Sequence, residues 1–412
     1  MVKTVPERLL ITVCLSLFVV AAACGGEDNP FNVKSERITQ AESVSSMQFA
    51  PDGRLFYAQQ FTGDIRIIKA DGSPQAEPFA HVEPALYLQW GLTGLALDPN
   101  FEQNRYVYAY YTQLVSQQEE TVTQASDSTA SPSTVVRTIA QPIVIRFTDR
   151  DGKGEEPKII IGDLPNTFIE HPGFGANGKI HFGPDGFLYV SLGDYDVQFN
   201  EPNHPSQDLS TPIGKLLRVN KEDGSPAPGN PFIGQEGADP RVFARGFREG
   251  FDFAFHPQTG TLYGTDNTPV DCEELNMIKP GANYGWPNVG EFPFAECGAG
   301  GQEQAIHYFA REGKQPGDFL SFVEVSALAF VSAAKYPTLG DSLLVCQLAS
   351  ATANGPAQQR MRHVVLSGAA FDQVTTDDTV VKDCRLSLAV SPDGTVYYSN
   401  DKEIKRLVPP KP

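Results

Sequence analysis

A short hairpin pattern recurs six times along the chain: SMQFAPDGRLFYA at 46–58, GLALDPNFEQNRYVYAYY at 94–111, KIHFGPDGFLYVSLGD at 179–194, FDFAFHPQTGTLYGT at 251–265, ALAFVSAAKYPTLGDSLLV at 327–345 and LSLAVSPDGTVYYSN at 386–400. Each copy is a short alternating apolar strand, a turn at Pro, Asp or Gly, and a return strand carrying Leu, Val or Tyr, which is the pattern of a β-hairpin. One such unit cannot bury its apolar surface alone. Six copies stacked into a closed ring can, and closure removes the open sheet edges. The expected fold is all-β, a six-bladed β-propeller of four-stranded antiparallel blades. A β-sandwich does not explain the same turn recurring six times. Closure is expected between a strand near Glu36–Ala41 and the last one, Glu403–Val408.

Marked at Phe49, Leu97, Phe182, Phe255, Phe330 and Val390, most copies lie further apart than the roughly 40–50 residues of a minimal propeller repeat, so the surplus falls in connections. Connections held by a rigid ring are where function concentrates. The insertion near 116–140, rich in Ser, Thr and Gln without an apolar period, reads instead as a solvated or disordered hairpin tip.

The N-terminus reads as a targeting segment. Lys3 and Arg8 precede an apolar run from Leu9 to Ala23, which is shorter than the roughly 20 residues of a membrane span. Ala21-Ala22-Ala23-Cys24 resembles a bacterial lipobox, in which the thiol is acylated and becomes the new N-terminus; ordinary cleavage beside a coincidental Cys is the alternative. Residues 1–24 are thus expected to be a lipoprotein signal peptide, 25–36 a flexible tether and 37–408 the propeller. The protein is expected to be exported and lipid-anchored at the bacterial cell envelope, touching the membrane through its lipid alone.

Lys and Arg number 32 against 50 Asp and Glu, a net charge of −18 with no basic stripe to offset it. Nucleic acid is an unsuitable partner for such a surface. With Cys14 in the signal and Cys24 lipidated, four thiols remain, Cys272, Cys297, Cys346 and Cys384. An even count in an oxidising compartment suggests disulfides. Of three connectivities, proximity in the chain favours Cys272–Cys297 and Cys346–Cys384.

Four stretches carry more than the repeat: WGLTGLALDPNFEQNRYVYAYYT, NGKIHFGPDGFLYVSLGD, QDLSTPIGKLLRVN with DGSPAPGNPF, and TDNTPVDCEELNMIKPGANYGWP. Together they resemble the soluble glucose/sorbosone dehydrogenases that use pyrroloquinoline quinone (PQQ), over about Phe49 to Leu407. The resemblance implies hydride removal from a sugar hydroxyl to PQQ, calcium polarising the quinone, a His taking the hydroxyl proton and arginines holding the cofactor's carboxylates. Such a division suits an anionic cofactor and proton abstraction near neutral pH.

Carried over residue by residue, the resemblance implies cofactor contacts from Gln89 and from Arg248, although Glu249 stands where the family has Asn. In Asn267-Thr268-Pro269 the backbone carbonyls of Thr268 and Pro269 are the implied calcium ligands, with Thr in place of the family's Gly. The family's His position holds Gly175; His171, four residues earlier, is the candidate general base. The family's paired arginines fall on Cys384 and Leu386, with Arg385 between them as the candidate cofactor arginine, on the opposite face of a strand.

Other polar residues read as structural. Asp52, Asp185 and Asp393 sit in Pro-Asp-Gly turns, Asp194 and Asp196 read as solvated loop carboxylates, and Tyr284 and Trp286 as a blade cap. His181 alternates with apolar neighbours. The leading reading is a PQQ- and calcium-dependent sugar or aldose dehydrogenase. A non-catalytic propeller binding a carbohydrate or protein is the main alternative, and a calcium-centred lactonase or esterase a third.

Overall fold

The computed structural model describes residues 30–87, 89–122, 133–168, 178–268, 272–287, 297, 303–311, 313–316, 323–348 and 359–410. Cys24, His171, Gly175 and Pro269 lie outside them. The described residues form six antiparallel sheets arranged as a six-bladed propeller, with a single helical turn at Phe101–Asn104. Numbered by their first strands, the blades begin at Val44–Phe49, Leu92–Leu97, Ile180–Phe182, Phe253–Phe255, Val325–Val331 and Leu388–Val390. Each of the six repeated segments supplies the first two strands of one blade.

Burial follows position in the blade. Second strands such as Leu188–Leu192 and Ser342–Gln347 are buried at every residue, whereas outer strands such as Gln373–Val381 are mostly exposed or half-buried. Inner strands are covered on both faces by neighbouring blades, so they tolerate continuous apolar runs. Six apolar clusters fill the six blade interfaces. Between blades 2 and 3, for example, Tyr108 and Tyr110 pack with Leu188 and Val190, and between blades 3 and 4 Tyr189 and Leu216 pack with Phe253 and Leu262.

The ring closes as the sequence predicts. Lys34–Gln40 pairs antiparallel with Glu403–Val408, from Lys34 opposite Val408 to Gln40 opposite Glu403. The first strand among the described residues is thereby the outer strand of blade 6. The Pro-Asp-Gly turns also form as expected: Asp185 Oδ1 accepts the Phe187 N–H at 3.2 Å, and Gly186 adopts a φ of 78°, which glycine alone adopts without strain.

Blade 2 departs from the expected insertion. Tyr106–Val122 and Ser133–Arg150 continue as one antiparallel ladder out to Val122 opposite Ser133, so most of 116–140 is strand. A ladder of backbone hydrogen bonds needs no apolar period, and Thr and Val suit it. The fourth position of this blade is shared by Lys153–Ile161 and Thr167–Phe168, which pair with the same strand.

Strands within a blade alternate in direction. Turns between first and second strands therefore open on one face of the ring, and connections from second to third strands and between blades open on the other, here termed the loop face. Chain entry lies opposite: Thr338, in a first-to-second-strand turn, donates to the Phe31 carbonyl at 2.5 Å. Both expected disulfides form, with Cα separations of 5.5 Å for Cys272–Cys297 and 5.3 Å for Cys346–Cys384.

Candidate active site on the loop face

Three connections on the loop face meet at blade 4. Gln89 precedes blade 2, Arg248 to Gly250 precede blade 4, and Asn267 and Thr268 follow that blade's second strand, Leu262–Asp266. Asp266 ties them together. Its carboxylate accepts the backbone N–H groups of Arg248 at 3.0 Å, Glu249 at 2.8 Å and Gly250 at 2.8 Å. Gly250 takes a φ of 44°, a left-handed value that lets three successive N–H groups converge on one acid. Burial nevertheless pushes the Asp266 carboxyl up to about 6, against the pull of those three donors.

The Arg248 guanidinium donates from Nη1 to Glu249 Oε1 at 2.9 Å and to the Asn267 carbonyl at 3.2 Å, and its Nη2 lies 3.5 Å from Asp196 Oδ1. Glu249 has two further donors: Gln89 Nε2 reaches Oε1 at 3.2 Å and Asn267 Nδ2 reaches Oε2 at 3.1 Å. Both Glu249 oxygens are thus paired. Burial would lower the Arg248 pKa, but Glu249, Asp194, Asp196 and Asp266 together raise it.

Asp194 lies in the same cluster, and the expectation of a solvated carboxylate is corrected. The residue is 1% exposed. Its N–H donates to the Arg248 carbonyl at 2.7 Å, and its Oδ2 accepts the Trp286 indole N–H at 2.7 Å. Burial pushes its carboxyl up to about 7, against the Arg248 charge and its hydrogen bonds. Asp196 is partly exposed, as a loop carboxylate should be. Trp286 and Tyr284 are buried structural residues, and the Tyr284 ring stacks on Phe247.

Gln89, Arg248 and Thr268 are brought to one region; Arg385 is held elsewhere. Its guanidinium pairs with Asp401 in the second-to-third-strand connection of blade 6, while Cys384 is in its disulfide and Leu386 is buried. Thr268 Oγ1 accepts the Cys272 N–H at 3.3 Å. Thr268 is not among the described residues with positive φ, so the loop does not call on glycine's freedom there. In the channel, His181 Nε2 lies 2.7 Å from Asp252 Oδ1, and Lys179 of blade 3 donates to carbonyls of Ser45 and Leu386.

The family model for glucose/sorbosone dehydrogenases matches residues 41–408, nearly the whole propeller. The chain belongs to this family. Aldose sugar dehydrogenase YliI of Escherichia coli K12 is 24% identical to it over 380 residues, 89% of each chain. Quinoprotein glucose dehydrogenase B of Acinetobacter calcoaceticus is 27% identical over 281 residues, 62% of this chain and 54% of that one. The solved apo form of the soluble aldose sugar dehydrogenase of Escherichia coli matches with a TM-score of 0.69 at 21% identity, over 92% of this chain and 99% of that one. That last likeness is one of fold.

For a family member's PQQ, the donor chemistry of Gln89, Arg248 and Asn267 suits a carboxylate. The same three side chains already hold the carboxylate of Glu249. For calcium, the implied ligands are backbone carbonyls, of which Thr268 lies among the described residues; no group of three His, Cys, Asp or Glu side chains among those residues could hold a metal ion.

Proposed function

We propose that this chain oxidises a sugar or aldose hydroxyl on the loop face, with PQQ and calcium as its cofactors, while anchored at the cell envelope through Cys24. The observation that carries the reading is the convergence of Gln89, Arg248 and the Asn267–Thr268 turn over the buried Asp194. When bound, PQQ supplies a two-electron acceptor for the hydride of a sugar C–H, and calcium supplies the charge that stabilises the reduced quinone oxygens. Gln89, Arg248 and Asn267 would hold a cofactor carboxylate. Thr268 and Pro269 would offer carbonyls to calcium, Arg385 a second guanidinium on the same face, and His171 an imidazole for the hydroxyl proton.

Asp266 contributes by fixing the Arg248–Gly250 backbone, so that the guanidinium is in place before any ligand arrives. The chain's entry opposite the loop face would leave the site pointing away from the anchoring membrane. A titration of calcium-loaded protein with PQQ tests the reading. Saturable binding at micromolar PQQ supports it, and its absence refutes it.

A second reading rests on Glu249. With this acid on Arg248, the loop face would serve as a non-catalytic surface for a carbohydrate or protein. Phe61, Leu86 and Phe199 are exposed on loop-face connections of blades 1 to 3, and Leu114 and Val115 are exposed on the extended strand of blade 2. They offer contact area such a partner would use.

A further inference from the structure

We propose that Gln89, Arg248 and Asn267 form a carboxylate receptor that the chain fills with its own Glu249, and that Glu249 must leave before an external carboxylate can bind. The geometry is that of a ligand in a site. Both Glu249 oxygens are engaged, Oε1 by Arg248 at 2.9 Å and Gln89 at 3.2 Å, Oε2 by Asn267 at 3.1 Å. The donors come from three separate connections and include one cation and two amides, a set that matches a planar anion with two acceptors.

The receptor is built independently of its occupant. Asp266 holds the backbone at 248–250, and Asn267 Nδ2 also donates to the Val325 carbonyl of blade 5 at 2.9 Å. Arg248 and Glu249 are 12% and 5% exposed at the side chain; Gln89 is half-buried at the edge of the cluster. Glu249 therefore sets the specificity of this pocket. While it is seated, a ligand carboxylate meets a like charge and spent donors, whereas a neutral polyol does not meet that repulsion.

The test uses the propeller with Glu249→Ala. That change removes a fragment equivalent to acetate, so sodium acetate should raise the thermal midpoint of E249A above its value in sodium chloride at equal ionic strength. Wild type and the double variant R248A/E249A should show no such difference. The PQQ affinity of E249A should exceed that of wild type at least tenfold. The PQQ arm rests on the cofactor reading above, and the acetate arm does not.

Acetate rescue without PQQ binding by any variant supports the receptor and refutes the cofactor. Equal PQQ affinity in wild type and E249A, with no acetate effect, overturns the receptor and leaves the cofactor standing. No acetate effect and no PQQ binding overturns both. Should E249A fail to fold, Glu249→Gln keeps the size and removes the charge; PQQ affinity above wild type then supports the proposal, and unchanged affinity overturns it.

Discussion

Arg248 donates from Nη1 to Glu249 Oε1 at 2.9 Å, so the guanidinium at the loop-face site is bound by its own neighbour in the chain. Both side chains are nearly buried. Removing one member of a buried pair leaves the other uncompensated, at a cost of about 3–5 kcal/mol. Arg248→Ala should therefore destabilise the fold strongly in urea unfolding, and R248A/E249A should lose less than the two single changes added together. Additive losses would show that the two residues act separately.

The pH dependence of stability should report the buried acids. Burial raises Asp194 from the usual 3.8 to about 7 and Glu274 from 4.5 to about 8. The folded state then keeps two protons that the unfolded chain releases earlier, so these groups stabilise most below their ordinary values and that contribution is lost as pH rises through 7 and 8. Asp194→Asn and Glu274→Gln should each flatten the fall in unfolding free energy between pH 5 and 8. A fall as steep as that of wild type in both variants would contradict the assignment.

One disulfide joins the second-to-third-strand connection of blade 4 to the connection after its third strand, and the other joins the second strand of blade 5 to the connection before blade 6. Cys272–Cys297 spans 25 residues and Cys346–Cys384 spans 38. Replacing Cys272 or Cys384 with Ser should each lower stability by about 2–4 kcal/mol, seen as a lower urea midpoint that dithiothreitol does not lower further for the severed bridge. Variants as stable as wild type would reject this contribution.

The proposed anchor predicts both attachment and orientation. Cys24→Ser should move the protein from the membrane to the soluble fraction. In intact vesicles carrying the anchored protein outward, a protease should reach loop-face sites freely, because the chain enters the ring on the other side. Unchanged membrane partitioning of the Ser variant would remove the lipid from the account.

The fold was legible because its signals are local. Alternation and the Pro-Asp-Gly turn act within about a dozen residues, and closure followed from the need to cover sheet edges. The pairing of 116–122 with 133–139 was not, since the Ser, Thr and Gln residues there carry no apolar period although they pair in a ladder. The site was legible in part. Gln89, Arg248 and Thr268 follow from motifs that resemble the family's, but the pairing of Gln89 with Glu249 spans 160 residues and that of Asp194 with Trp286 spans 92. Such long-range contacts hold the acid that stands at the family's Asn position and bury a carboxylate that reads from sequence as a solvated loop residue.

The most direct measurement of the central claim is aldose-dependent dye reduction by the mature protein reconstituted with PQQ and calcium. Reduction that requires both cofactors and sugar, and that His171→Ala abolishes while PQQ binding persists, is the predicted result, since a base acts on the substrate proton and not on cofactor affinity. Saturating PQQ and calcium with no sugar-dependent reduction across a panel of aldoses would contradict it.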